Sequence, residues 1–142
     1  MGGMNAPGME TLAREKRRAL FAQCMDELSA DALLTAHHRD DQAETVLMHL
    51  LRGAGGKGLS GIAPRTAFGR GVMLRPLLAL SKAELEAVLR EENIPFRHDE
   101  SNDLPCTPRN ALRLELMPRL EELFPSAASH LAAAAETLRQ DE

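Results

Sequence analysis

Two short apolar runs set the limits on what this chain can fold into. Asp31-Ala-Leu-Leu-Thr-Ala36 and Val72-Met-Leu-Arg-Pro-Leu-Leu78 read as strands, the second ended by Pro76, which has no N–H to give a ladder. Each run is flanked by helical periodicity. Leu12, Leu20, Phe21, Cys24, Met25 and Leu28 share one face of a segment beginning near Met9, and a second helix is expected from Gln42 to about Leu51. Ser81-Lys-Ala-Glu84 is a capping box that opens a helix to roughly Glu92. Thr107-Pro108 pairs an N-cap with a proline at the first helical position, and that helix is expected to reach Leu123 with a kink at Pro118. Pro125 opens a last Ala-rich helix. Strands alternating with helices predict a helix-dominated α/β fold with a parallel sheet followed by C-terminal helices. Parallel strands need cover on both faces and usually several neighbours. Two strands therefore read as part of a sheet, and the unpaired edge makes a homodimer of the chain an expectation.

The filling of the core follows from what is missing. There is no Trp, no Tyr and only four Phe among 142 residues, so Ala, Leu and Met must do the packing, and they favour helices. A net charge of −4 argues against a general nucleic-acid binder but leaves room for a local basic patch such as Arg14, Lys16, Arg17 and Arg18. Cys24 and Cys106 have no metal-ligand spacing, which fits a reduced, cytoplasmic protein. No apolar run reaches membrane length, and the first residues have neither a basic n-region nor an apolar h-region.

The chemistry concentrates after the first strand. Thr35-Ala-His37-His38-Arg39-Asp40-Asp41-Gln42-Ala43-Glu44-Thr45 brings imidazoles and carboxylates to the carboxyl end of a strand, where open α/β sheets bind ligands. Asp41 and Glu44 are three apart and share a helix face. Oxygen ligands of this kind suit Mg²⁺. The bland alternative is that Asp40 or Asp41 caps the helix while Glu44 is solvated. Arg109 and Arg113 lie four apart on one helix face and should repel unless an anion sits between them. The glycine-rich stretch Arg52–Gly61 is compatible with phosphate binding but matches neither a Walker loop nor a dinucleotide fingerprint.

These residues resemble the tRNA(Ile)-lysidine synthetases, of the PP-loop ATP pyrophosphatase group. His37-His38-Arg39-Asp40-Asp41-Gln42-Ala43-Glu44-Thr45 is similar to that family's HHxxDQxET element. Leu51-Arg52-Gly53-Ala54-Gly55 with Gly58-Leu59-Ser60-Gly61 resembles LRGxGxxGLxG, and Arg75-Pro76-Leu77-Leu78 its RPLL strand. Asp99-Glu100-Ser101-Asn102 is similar to DxSN, Pro108-Arg109-Asn110 with Arg113 to RNxxR, and Ala13-Arg14 with Arg17 to ARxxR. Leu114 and Arg18 stand where the family usually has His and Tyr. The family's SGGxDS loop, which grips the pyrophosphate of ATP, does not occur in the sequence.

The resemblance implies a partial adenine-nucleotide alpha-hydrolase-like (Rossmann-like) domain. On this reading residues 1–8 are a flexible tail, 9–80 the partial α/β domain, and 81–142 its helical C-terminal part with the start of a linker helix. The chain would be the back half of the nucleotide-binding domain of a ligase that uses ATP, Mg²⁺, tRNA and L-lysine. His37, Asp41 and Glu44 would be catalytic, with Asp41 and Glu44 holding the metal. Arg17, Arg52, Gly53, Gly55, Arg75, Arg109 and Arg113 would meet nucleotide or tRNA. The alternatives are a non-catalytic, dimerising module and an HD-type metal phosphohydrolase built on His37 to Asp41. Because no SGGxDS element is present, calorimetry should find ATP binding by this chain weak or undetectable. Micromolar affinity would mean that the phosphate grip is built from other residues.

Overall fold

The computed structural model describes residues 7–97 and 107–141, with side chains from residue 11 onward. These residues sort into two compact units. The first holds the chain up to Thr35 together with Pro64–Pro76, and the second holds Ala36–Ala63 and the chain from Leu77.

Unit 1 is a helix on a small sheet. Helix α1 spans Pro7–Leu28, and strands β1 (Ala32–Leu34), β2 (Arg65–Phe68) and β3 (Gly71–Leu74) form a sheet in the order β1-β3-β2. β1 and β3 are parallel, in the register Ala32↔Val72, Leu33↔Met73 and Leu34↔Leu74. β2 runs antiparallel to β3 as a hairpin closed by Gly69 and Arg70. The expected parallel pairing therefore exists inside a mixed sheet. The hairpin strand escapes the sequence pattern because three of its four residues are exposed and only Phe68 is buried. Met25, Phe68 and Met73 form the buried core, with Phe21, Ala22, Ala30 and Leu33 against it. Phe21, Ala22 and Met25 recur at helical spacing and put one stripe of α1 on the sheet. The helix stops at Ser29, whose φ of 52° turns the chain, and the Ala30 N–H returns to the Met25 carbonyl at 2.9 Å.

Unit 2 is helical: α2 (Arg39–Leu51), α3 (Gly56–Leu59), α4 (Lys82–Glu91), α5 (Pro108–Ala111), a π-helical turn (Leu112–Leu116), α6 (Met117–Leu123) and α7 (Ala127–Gln140). α2 is its axis, since every residue from Gln42 to Leu47 is buried. Its main neighbour is α7, and Ala43 and Ala135, both 0% exposed, allow the close approach. The loop after α2 is tied back to it. The Gln42 carboxamide donates to the Ile62 carbonyl at 2.9 Å and accepts from the Ile62 N–H at 2.7 Å. Arg139 of α7 donates to the carbonyls of Ser60 and Ile62.

Helix ends follow the caps read from the sequence, with instructive exceptions. Ser81 accepts from the Glu84 N–H and Glu84 from the Ser81 N–H, at 3.1 and 3.0 Å. The Thr107 hydroxyl accepts from the Asn110 N–H at 3.1 Å ahead of Pro108. α2, however, begins three residues earlier than expected, because His38 is its N-cap. An imidazole nitrogen can accept a backbone hydrogen bond much as a short polar side chain does. The disturbance at Pro118 takes the form of the π-helical turn just before it, in which the Met117 N–H reaches back five residues to Leu112. Pro118 has no N–H to return to the Leu114 carbonyl, and a π turn re-phases the bonds upstream of that gap. α7 starts at Ala127, where Glu121 supplies the cap by accepting from the N–H groups of Ser126 and Ala128 at 3.0 and 2.9 Å. The 99–102 element, His98, Cys106 and most of the expected 1–8 tail lie outside the described residues.

Gly71 is fixed by a close approach. A Cβ there would lie 2.0 Å from the Asp31 carbonyl oxygen, which accepts from the Val72 N–H where β1 meets β3. At Gly56 a Cβ would meet nothing within 4 Å. Gly71→Ala is expected to cost about 2–3 kcal/mol, because backbone must move, while Gly56→Ala should be near neutral. Chemical denaturation that ranked the two equally would refute this packing.

Candidate functional site

The site is built on the first two turns of α2. His38 and Asp41 close a reciprocal cap: the His38 N–H donates to Asp41 Oδ2 at 2.9 Å, and the Asp41 N–H donates to His38 Nδ1 at 3.4 Å. This requires Nδ1 to be the acceptor, so the ring proton of the neutral imidazole sits on Nε2. Asp41 is thereby held with one oxygen on the backbone and the other, Oδ1, 3.6 Å from Arg113 Nη2.

One turn further, Glu44 is 2% exposed. A carboxylate that deep needs a charged partner, and Arg113 supplies it from the π-helical turn. Arg113 Nε donates to Glu44 Oε1 at 2.5 Å and Nη2 to Oε2 at 3.0 Å, the side-on fork that suits a carboxylate. The hydrogen bond from Arg113 to Glu44 raises the Arg113 pKa, with the charges of Glu44, Asp41 and Asp40 adding to it against the cost of burial. Arg109 lies beside this pair. Its Nη2 donates to the Thr45 hydroxyl at 2.8 Å, its Nη1 reaches the Asp41 carbonyl at 3.5 Å, and Nη1 stands 3.8 Å from Glu44 Oε2. The anion demanded by two arginines four residues apart is thus present within the chain as Glu44.

Asp41, Glu44, Arg109 and Arg113 therefore converge within unit 2, and Thr45, the last residue of the 37–45 element, joins them as the seat of Arg109. His37 is half-buried just before the cap. Arg52, Gly53 and Gly55 lie together at the exposed end of α2, where Arg52 is the C-cap, Gly53 takes a φ of 82° and Gly55 precedes α3. Beside them a cleft of about 420 Å³ opens between α2 and the 108–119 helices, lined by Met48, Leu51, Ala111, Leu112 and Leu116 with Arg52 at its rim. Arg17 and Arg75 belong to unit 1. Arg17 is on the exposed part of α1, whereas Arg75 is half-buried at the end of β3 and donates to the Thr66 hydroxyl at 3.3 Å. Burial and the neighbouring charges of Arg18 and Arg14 lower its pKa.

Both oxygens of Glu44 are taken by Arg113, and guanidinium groups surround it. As arranged, this carboxylate has no open face for a cation. Among the described residues no group of three or more His, Cys, Asp or Glu side chains is placed to hold a metal ion, and no helix is long and apolar enough to cross a membrane.

The two halves of the pair should not be equivalent. Arg113 is 27% exposed and can hydrate if it loses its partner, whereas Glu44 cannot. Arg113→Met should therefore cost about 3–5 kcal/mol, as expected for stranding a buried charge, and Glu44→Gln distinctly less. Denaturant titrations showing Glu44→Gln as the worse variant would contradict this account.

Residues 3–120 match the PP-loop domain family. The tRNA(Ile)-lysidine synthase of Geobacter sulfurreducens is 48% identical over 134 residues, which is 94% of this chain and 28% of that protein. The tRNA(Ile)-lysidine synthase of Parabacteroides distasonis is 42% identical over 130 residues, or 92% of this chain and 29% of that one. That of Pseudomonas fluorescens is 44% identical over 132 residues, with 93% and 29% covered. The chain thus spans less than a third of the length of these curated relatives. A solved U34-tRNA thiolase from Methanococcus maripaludis, determined with its 4Fe–4S cluster, matches the fold with a TM-score of 0.65 at 17% identity. That match covers 93% of this chain and 44% of the thiolase. The motifs, the helix-dominated α/β architecture and the match over most of the sequence agree: the chain belongs to the PP-loop domain family.

Proposed function

We propose that this chain contributes active-site residues to a tRNA(Ile)-lysidine synthetase. In that reaction ATP adenylates the C2 oxygen of the wobble cytidine of an isoleucine tRNA with release of pyrophosphate, and L-lysine then joins C2 with release of AMP. The observation that carries the reading is the convergence of Asp41, Glu44, Arg109 and Arg113, drawn from two of the motif elements, around one buried ion pair. Identities of 42–48% to lysidine synthases over nearly the whole chain support it.

In the first step a bond forms between the pyrimidine C2 oxygen and the α-phosphorus of ATP while the bond to pyrophosphate breaks. Negative charge grows on the leaving group, and preorganised cations stabilise it. Arg109 suits this role, since its side chain is 37% exposed and its bonds to Thr45 and Asp41 use only part of its donor set. Arg113 is committed to Glu44 and acts as a positioning residue that fixes Asp41 and Arg109. Arg17, Arg52, Gly53, Gly55 and Arg75 remain candidates for phosphate contacts. In the second step the lysine amine attacks the activated carbon and sheds a proton, for which Asp41 or His37 is the acceptor. Glu44, with both oxygens on Arg113, does not fit Mg²⁺ as arranged. A homodimer stays within the proposal, supported by Leu20, Leu28 and Leu34, which are 55%, 78% and 63% exposed in unit 1.

The test uses a protein in which this sequence is joined to an SGGxDS-bearing segment, supplied with ATP, labelled lysine and an isoleucine tRNA. Asp41→Asn should abolish pyrophosphate release while leaving circular dichroism unchanged. Arg109→Ala should lower the rate of adenylation by about 10²–10³-fold, the usual cost of one oxyanion donor. Lysine incorporation by Asp41→Asn at near the parent rate would reduce Asp41 to a helix cap.

A further inference from the structure

Arg139 belongs to none of the motif elements of the sequence, yet it joins three segments of unit 2. It sits on α7 one turn beyond Ala135, the buried residue that lets α7 approach α2. Its Nη2 donates to the carbonyls of Ser60 and Ile62, to the latter at 2.8 Å, and its Nη1 is held by Glu136. Ile62 is also the anchor of Gln42. The Ile62 carbonyl accepts from Gln42 Nε2 at 2.9 Å, and the Ile62 N–H donates to Gln42 Oε1 at 2.7 Å. Both lone pairs of that carbonyl are thus engaged, one by α2 and one by α7. Gly61 makes room for the junction. Its φ is 69°, and a Cβ there would collide with the Gln42 carboxamide.

Gln42 is 4% exposed and directly follows Asp41. Its carboxamide is therefore a buried strut between the first turn of α2 and the end of the glycine-rich stretch. A buried amide that lost Ile62 would leave donors and an acceptor unpaired, so the start of α2 is held by whatever holds Ile62. Other ties of this stretch are local: His49 Nδ1 lies 2.6 Å from the Gly58 carbonyl oxygen, and the Ser60 hydroxyl donates to the Lys57 carbonyl at 2.6 Å. The bonds from Arg139 span 77 and 79 positions, so no neighbour in sequence can replace them. Glu136 alone would meet the charge of an arginine near a helix end. The two carbonyls are a further engagement, and they belong to the segment that braces Gln42.

We propose that Arg139 is a positioning residue for the adenylation step: it acts through Ile62 and Gln42 to hold Asp41 at the start of α2, and it touches no substrate. The inference deepens the proposed function and rests on its reading of Asp41 as an active-site residue. It makes α7, which carries none of the motif elements, part of the geometry of the reaction.

Two measurements test it. On the 142-residue chain, hydrogen exchange resolved by NMR compares the Ile62 N–H, whose bond goes to Gln42, with the Val72 N–H of unit 1. R139M keeps an aliphatic stem and removes the donors. It should speed exchange at Ile62 roughly tenfold or more and leave Val72 as in the parent. In the protein joined to an SGGxDS-bearing segment, R139M should lower kcat for pyrophosphate release about ten- to hundredfold, as misplacing a catalytic group from a distance can do. KM for ATP and for tRNA should stay within about twofold of the parent. R139K should recover most of both effects, because the two carbonyls converge on one nitrogen that a single ammonium can replace. Gly71→Ala, which weakens unit 1 and leaves the strut alone, should keep the parent kcat. Unchanged exchange at Ile62 in R139M, an equal rise at Val72, a change in KM without one in kcat, R139K no better than R139M, or a lowered kcat in Gly71→Ala would each overturn the proposal. A joined parent protein without turnover would overturn the proposed function and with it the catalytic role of Arg139, while an Ile62 amide that responded as expected would leave the brace itself standing.

Discussion

The burial of one carboxylate organises unit 2. Glu44 sits where α2 is enclosed on all sides, so its charge has no route to water and must be met from within. The desolvation of such a pair is comparable with the attraction it gains, so a buried ion pair is a poor source of net stability. What it supplies here is position. An apolar residue at 44 would accept many placements of the 108–123 helices, whereas a carboxylate met by the Nε and Nη2 of Arg113 accepts few. The same contact brings Asp41 and Arg109 to fixed distances.

Some of this was legible in the sequence and some was not. Ser81 and Thr107 obey local rules that act over three or four residues, and the structure follows them, whereas the expected stripe of α1 packs on the sheet at Phe21 and Met25 while Leu12, Leu20 and Leu28 are exposed. Spacing alone pointed to an anion near Arg109 and Arg113, with two solvated arginines as the alternative. It did not say that the anion was Glu44, because residues 44 and 113 are 69 positions apart and only the packing of two helices joins them. β2 failed for a different reason. A four-residue hairpin strand with one buried side chain has no alternation to detect, and it is held by pairing with β3. The early start of α2 came from a cap supplied by an imidazole, outside the usual choice of Ser, Thr, Asp and Asn.

The π-helical turn connects these observations to the site. A proline two residues into α6 removes a donor from the helix ladder, and the backbone upstream widens to recover its bonds. The widened turn is the one that carries Arg113. In a regular helix Arg109 and Arg113 would stack on one face and compete for the same carboxylate edge. With the bond pattern shifted between them, Arg113 takes Glu44 side-on while Arg109 turns to Thr45 and keeps donors to spare.

A division of labour among arginines follows, and it explains why their number alone says little about function. Arg113 is saturated by a buried carboxylate, which suits a structural pivot. Arg109 is hydrogen-bonded by a hydroxyl and a carbonyl, neutral groups that orient a guanidinium, and it shares at 3.8 Å a Glu44 carboxylate whose hydrogen bonds go to Arg113. Arg14 and Arg18 bear on Arg75 with like charge only. Net charge sums over all three situations and hides the difference between them. The discriminating quantity is what each guanidinium already binds in the folded chain. A guanidinium is available to a phosphate when its charge has been oriented but not neutralised.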